Sequence, residues 1–136
     1  MTVELSPYVA PNAIAFMLAH LTPLGPGGPN RVDGDPLPYR SVNRIDGADD
    51  LTLFCDNAVL SVHTFAATQE DAEHEGEITH RRILLLKHEL FDVPLHGGGV
   101  ANAAGLIVHQ KPRLSDYRAD GVFRMKAVYE LDLDFT

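Results

Sequence analysis

The sequence predicts an α+β fold: a mainly antiparallel four-stranded sheet with two helices on one face, in the order α-β-β-α-β-β. Residues 123–135 alternate almost perfectly between apolar and polar side chains, which is typical of a half-buried strand. Within 57–92, an apolar strand at 58–65 runs directly into a long helical pattern. The chain has 136 residues, 45% of them hydrophobic, which is enough for one domain with a core. Residues 1–136 are therefore expected to form a single domain.

A short helix is predicted at 11–22, followed by a loop rich in proline and glycine at 23–38. The helix is apolar on almost every side, so part of it is expected to contact a neighbouring subunit. The candidate contact residues form one stripe along it: Ile14, Met17, Leu18 and Leu21. The loop holds five prolines and four glycines, and a loop of this length is expected to be mobile or to act as a contact arm.

A strand is predicted next at 39–45, and residues 51–55 followed by 58–66 are predicted to form the next strand or strand pair. The dipeptide Asp46-Gly47 predicts a turn after the first of them. Asp56-Asn57 interrupts the apolar pattern and predicts a bulge or bend.

The long helix is predicted to begin after Thr68, because Asp71 follows at the spacing of a capping box. It ends before Pro94, since the residue preceding a proline is disfavoured in the α region. Small or apolar residues recur at helical spacing and mark its buried face: Ala72, Gly76, Thr79, Ile83, Leu86 and Leu90.

A third strand is predicted at 103–110, after a glycine-rich connector at 97–99, and the last strand carries two different faces. Its apolar face should pack on the core. Its other face carries three carboxylates, Glu130, Asp132 and Asp134, and should meet water or a lumen. Carboxylates at this spacing could also bind a cation, although a solvated acidic strip is commoner.

The net charge of −8 argues against binding duplex nucleic acid by neutralising phosphates. The single cysteine, Cys55, excludes an intrachain disulfide and suggests intracellular folding. No signal peptide and no membrane span are expected, because no apolar stretch approaches the required length.

No catalytic, metal or cofactor site is predicted from the seven histidines or the glycines. His74 and His80 are six residues apart, on opposite sides of the helix, and cannot share a zinc ion. His63 in its strand is expected to be a hydrogen-bonded structural residue. The glycines at 97–99 follow a helix, whereas phosphate-binding loops precede one. The protein is therefore predicted not to be an enzyme and to need no cofactor.

Residues 38–135 resemble the tail terminator proteins of long-tailed (siphovirus-type) bacteriophages, especially those that infect actinobacteria. The resemblance rests on PYRSVNRIDG, on DDLTLF followed by SVHTFA, on the helix with ITHRRILLL, and on the final strand RMKAVYELDL. It is a similarity of pattern, length and element order, without a catalytic motif.

The resemblance implies a structural role in virion assembly. Tail terminators form a ring, usually a hexamer, that caps the tail tube and ends its polymerisation. The implied partners are other copies of the chain, the tail tube protein and a head–tail connector or stopper protein, with no membrane. The implied location is the tail–neck junction of the virion, after assembly in the host cytoplasm. Genomic DNA would pass through the lumen without specific binding, and Glu130, Asp132 and Asp134 are the candidate lumen-facing residues. The acidic first half of the long helix is the alternative lumen surface.

Two alternatives remain open from the sequence. The chain could be another neck or head–tail connector protein of the virion, since such proteins share its size and charge. It could also be a small metal-dependent hydrolase that uses His63 or His88 with carboxylates from different strands.

Overall fold

A computed structural model describes residues 2–88, 91–117 and 121–136 of the chain. It contains two α-helices, α1 and α2, one 3-10 turn at Thr22–Leu24 and seven strands. In chain order these are α1 (Ala13–Leu21), β1 (Gly27–Gly28), β2 (Tyr39–Asp50), β3 (Cys55–Ala66), α2 (Gln69–His88), β4 (Val93–Pro94), β5 (Val100–Ala101), β6 (Gly105–Ser115) and β7 (Phe123–Asp134). Within these described ranges, no helix combines the length and apolar character needed to cross a membrane.

The predicted four-stranded antiparallel sheet in the order α-β-β-α-β-β is wrong. The structure has a five-stranded mixed sheet in the order β1-β2-β3-β7-β6 and a separate two-stranded sheet of β4 and β5. The extra strand β1 comes from the proline- and glycine-rich loop and pairs in parallel with β2 at Arg40 and Ser41. A Cβ on Gly27 would lie 2.6 Å from the carbonyl oxygen of Arg40, so this close pairing depends on glycine.

The turn predicted at Asp46-Gly47 is also wrong, because β2 continues through it to Asp50. Gly47 keeps a positive φ of 115° inside the strand, where a Cβ would collide with the carbonyl of Asn57. The bulge lies in β2, between Arg44 and Asp46, and not at Asp56-Asn57. The chain reverses direction between Asp50 and Cys55, where the Asp50 carboxylate accepts hydrogen bonds from the backbone N–H groups of Thr52 and Leu53.

Helix α2 begins as the capping pattern predicts, since the Thr68 hydroxyl accepts a hydrogen bond from the backbone N–H of Asp71 at 3.1 Å. Five members of the predicted stripe are buried: Ala72, Gly76, Thr79, Ile83 and Leu86. Leu90 lies outside the described residues. Gly76 permits close contact with the sheet, because a Cβ there would lie 3.0 Å from Cγ of Met125.

The main core lies between the helices and one face of the large sheet. Its sheet side is built by alternate residues of the long strands, including Leu60, Tyr129 and Leu131, all fully buried. Phe16 and Met17 of α1 close it from one side, and Ile83 of α2 from the other. Because both helices pack against this face, the opposite face of the sheet has no helical layer among the described residues.

A buried polar network ties α2 to the sheet. Arg40 of β2 is 1% exposed; its Nε donates to Thr79 Oγ1 at 2.8 Å and its Nη2 donates to Glu75 Oε2 at 2.6 Å. A third bond runs from Nη1 to the carbonyl of Leu24 at 3.2 Å, which anchors the turn after α1. Thr64 of β3 completes the network at 2.9 Å from the Thr79 hydroxyl. One arginine thus joins three elements of the fold.

Candidate functional site

The face of the large sheet turned away from the helices is the main candidate surface, here called the open face. Strand β7 shows how it is built: its burial alternates strictly from Arg124 to Leu133, as the sequence predicts. The apolar residues point to the core, and the charged residues point to the open face. The register places the neighbouring residues of β3 and β6 beside those charges.

One half of the open face is acidic and is held in place by an amide. Asn57 lies opposite Asp132 in the β3–β7 ladder. Its Nδ2 donates to Glu130 Oε2 and to Asp132 Oδ1, each at 2.8 Å. Glu130 Oε1 lies 2.7 Å from His109 Nε2 of β6, while Asp134 at the strand end is exposed. The structure therefore brings two of the three predicted carboxylates onto one donor and leaves the third in solvent.

Hydrogen bonding favours the ionised form of Glu130. The bonds from Asn57 and then from His109 lower the pKa of Glu130, and they outweigh the partial burial that would raise it. The side chain is 21% exposed. The acidic half thus holds the carboxylates of Glu130 and Asp132 in place through Asn57, with the ionised form of Glu130 favoured.

The other half of the open face is basic. It carries Arg124 and Lys126 of β7 and Arg113 of β6, which is paired with Lys126 in the ladder. Arg124 Nη2 donates to the Ser115 hydroxyl at 2.9 Å, and its guanidinium lies over the ring of Tyr117. The open face is therefore divided by charge, so the predicted acidic strip covers only one end of it.

His63 lies in the basic half and is half-buried and hydrogen-bonded, as the sequence predicts. Its Nε2 is 3.0 Å from the Ser61 hydroxyl. Burial, with further contributions from Arg124 and Lys126, lowers the pKa of His63 to about 4. The ring is uncharged at neutral pH, and the positive charge of this half comes from the arginines and the lysine.

An exposed apolar cluster lies at the β2–β3 turn, here called the tip. Leu51 and Leu53 are 77% and 70% exposed, and Phe54 is 50% exposed with a positive φ of 59°. Tyr8 of the N-terminal segment packs on Phe54 at 5.3 Å between ring centroids. Tyr8, Leu51 and Phe54 border a groove of about 420 Å³. An apolar group of this kind on a surface is typical of a protein–protein contact.

The four candidate subunit-contact residues of α1 separate into two pairs. Met17 and Leu21 are 0% and 2% exposed and belong to the chain's own core. Ile14 and Leu18 are half-buried. Leu18 lines a cleft of about 280 Å³ that also reaches Arg40 and His96. That this stripe meets a neighbouring subunit stays a prediction.

Groups suited to chemistry are dispersed. Within the described residues, no three His, Cys, Asp or Glu side chains lie together as metal ligands. His80 is buried, with Nδ1 2.7 Å from the Tyr129 hydroxyl, whereas His74 is exposed. Burial raises the pKa of the Cys55 thiol. The side chain of His88 lies outside the described residues.

Two features of these surfaces are not predicted from the sequence. Asn57 holds the acidic pair because β3 and β7 align it with Asp132, and only the register shows this. The strand predicted at 51–55 is a turn in the structure, although Leu51, Leu53 and Phe54 have an apolar pattern typical of a strand. The available signal is Asp50, whose carboxylate can close a turn by accepting hydrogen bonds from the backbone N–H groups two and three residues later.

Comparison with known proteins shows the fold. No protein-family model matches the chain, and no curated protein matches its sequence. Among solved structures, the chain is similar to one in a structure described as the virion of a native gene transfer agent particle. The identity is 17% and the TM-score is 0.52, over 89% of this chain and 86% of that one. The two chains share a fold along most of their lengths.

Proposed function

We propose that this chain is a structural protein of a phage-like virion. The observation that carries the proposal is the shared fold with a chain of a gene transfer agent virion, over nearly the full length of both. The surfaces agree with an assembly role, since the chain exposes an apolar tip and a charged sheet face. In this proposal the chain is not an enzyme and uses no cofactor.

Within the virion, the role proposed is that of a tail terminator. The chain would form a ring, taken as hexameric, on the tail tube, end tube polymerisation and join the tail to the head connector. The sequence resemblance over 38–135 supports this role, as does the one-sided arrangement of the helices. A closed ring needs two different surfaces on each copy that fit one another. The tip, the open face and the sheet edges provide several such surfaces.

The acidic half of the open face is proposed to line the lumen. Like charges repel, so ionised Glu130, Asp132 and Asp134 would let DNA pass without adhering to the wall. Replacing all three with lysine should leave the core intact, because their side chains point away from it. The variant should eject or package DNA poorly in an infectivity assay. A matched triple reversal of exposed Glu70, Glu73 and Glu77 on α2 is the control.

The termination activity is tested with polymerising tail tube protein. Purified chain is added at rising concentration, and tube lengths are measured by negative-stain electron microscopy. The proposal expects shorter tubes with a ring of density at one end. Unchanged tube lengths and bare tube ends would refute termination. A chain that stays monomeric at every concentration and with tubes would refute assembly altogether.

The second candidate is another neck or head–tail connector protein. The shared fold with a virion chain supports it equally. A connector would form rings and associate with the head-completion assembly, but would leave tube length unchanged. The tube-length assay therefore separates the two structural roles.

A further inference from the structure

The large sheet has two open edges. Strand β1 pairs with β2 at Arg40 and Ser41, and within the described residues no strand pairs with the outer side of β2 from Val42 to Asp50. Strand β6 likewise pairs with β7 on its inner side and, in the same part of the chain, with nothing on its outer side. Both edges present backbone N–H and C=O groups that another strand can use.

The two edges carry opposite charge. Beyond its bulge, β2 bears three exposed or half-buried carboxylates: Asp46, Asp49 and Asp50. The C-terminal half of β6 bears Lys111 and Arg113, both exposed. The other charges here are already engaged, since Arg44 forms a two-bond ion pair with Asp56 at 2.7 and 2.8 Å, and His109 contacts Glu130. The described residues offer the β2 carboxylates no cationic partner within 4.0 Å.

The strand directions suit a repeating contact. Every long-strand pairing in the sheet is antiparallel, so β2 runs opposite to β6. If a second copy approaches with its helices on the same side, its β2 meets β6 of the first copy as an antiparallel neighbour. The sheet then continues from copy to copy, with every open face on one surface of the assembly. Across one sheet, Arg113 of β6 is level with Ser41 of β2, and Ile107 is level with Asp46. Because β1 occupies the outer side of β2 at Arg40 and Ser41, the next copy is displaced along the strands. A displacement of about six residues, or about 20 Å, brings Lys111 and Arg113 opposite Ala48 and Asp46.

From these observations we propose that copies of this chain associate head to tail by pairing the acidic β2 edge of one copy with the basic β6 edge of the next. The proposal rests on the assembly role above and names the surfaces that would make it. Two β2 edges repel one another, as do two β6 edges, so charge disfavours the two-fold dimers that would cap the edges. The head-to-tail contact can close into a ring.

The competing explanation is that the edge charges only prevent aggregation. Charged residues, bulges and a proline on edge strands often serve that purpose, and β6 carries Pro112 and two register shifts. The two explanations differ in what complementary charge reversals do. If the charges only prevent aggregation, reversing their sign on one edge should not affect how that variant associates with the other one. If the charges pair across a contact, two variants with opposite reversals should associate with each other.

The test uses two double variants of the full chain. Asp46→Lys with Asp49→Lys makes the β2 edge basic, and Lys111→Glu with Arg113→Glu makes the β6 edge acidic. Each variant alone places like charges against each other and should weaken self-association, measured by analytical ultracentrifugation, about tenfold or more. An equimolar mixture should assemble again, because every contact between unlike variants is then attractive.

Matched controls carry the same change of charge elsewhere. Asp33→Lys with Glu73→Lys, and Arg81→Glu with Lys87→Glu, alter exposed positions that lie on neither edge strand. They should associate as the parent does. Circular dichroism verifies that each variant is folded. If a reversal variant does not fold, chemical cross-linking supplies an independent measurement on near-native chains.

For cross-linking, one preparation carries Ile45→Cys on β2 and another carries Leu114→Cys on β6, two exposed positions that the displaced register brings opposite each other. A short bis-maleimide should link the mixed preparations and leave each preparation alone unlinked, with the parent as control for buried Cys55. The edge pairing would be overturned, and the assembly role would remain, if the native chain assembles but the two reversal variants and their mixture all self-associate to the same extent. Native chain that never assembles would overturn both.

Discussion

Removing the Arg40 side chain should strongly destabilise the fold. In Arg40→Leu the guanidinium is lost, while the leucine retains apolar volume at a position that is 1% exposed. The substitution leaves the Glu75 carboxylate and the Leu24 carbonyl without the donor they share. The Thr79 hydroxyl loses its bond from Arg40 but keeps those to the Thr64 hydroxyl and the Glu75 carbonyl. Three elements then lose their common hydrogen-bonding partner.

The size of the effect follows from burial. Removing one partner of a fully buried ion pair costs about 3–5 kcal/mol. Here the Glu75 side chain is 25% exposed, so water can rehydrate its carboxylate and reduce the cost. Each uncharged partner left unsatisfied adds about 1–3 kcal/mol when buried, although such costs do not add fully. We expect a loss of about 3 kcal/mol in the free energy of unfolding, or about 10 °C in Tm.

Urea unfolding monitored by circular dichroism measures this loss at one fixed protein concentration, since assembly couples stability to concentration. Glu75→Gln is the graded variant and should cost about 1 kcal/mol, because an amide oxygen still accepts from Arg40. Arg81→Leu changes an exposed arginine on the same helix and should stay within about 0.5 kcal/mol of the parent. A loss below about 1 kcal/mol for Arg40→Leu would refute the network as a structural link.

Three further predictions follow from single residues. Leu86→Ala should lower the free energy of unfolding in urea by about 2–5 kcal/mol, because Leu86 is buried. Leu85 next to it is 38% exposed, so Leu85→Ala should lower it far less. Equal losses would mean that the buried face of α2 is wrongly assigned. Asn57→Ala should raise the pKa of Glu130 in a carboxyl NMR titration, because it removes the hydrogen bond that contributes most to lowering that pKa. An unchanged pKa would show that the hydrogen bond from Asn57 does not stabilise the ionised form of Glu130. Burial lowers the pKa of His20 and of His63 from 6.5 to about 4. Because the unfolded chain takes up protons on these residues before the folded one does, their contribution to stability is complete above pH 6.5 and is lost as the pH falls towards 4. A free energy of unfolding that stays constant across that window would contradict their burial.

The strongest periodic patterns predicted their elements well. The alternation in β7 and the stripe on α2 each reflect one dominant force, the burial of an apolar face, which a local sequence records directly. The start of α2 was predicted for a similar reason, because Thr68 and Asp71 act within one turn.

The errors arose where distant residues override a local signal. Asp46-Gly47 favours a turn on its own, yet the ion pair of Arg44 with Asp56 and the close approach of β3 keep β2 extended. Strand β1 has no side-chain pattern at all, since two glycines pair only because β2 passes beside them. The division of the open face into acidic and basic halves likewise depends on register, which joins Arg113 of β6 to Lys126 of β7.

Imaging tests most directly the proposal that this chain assembles as a virion protein at the end of a tail tube. Purified chain mixed with polymerising tail tube protein is examined by electron microscopy and class averaging. We expect tubes of restricted length, each ending in a closed ring whose copies form one continuous sheet. Tubes of unrestricted length with bare ends, beside a chain that remains monomeric, would contradict it.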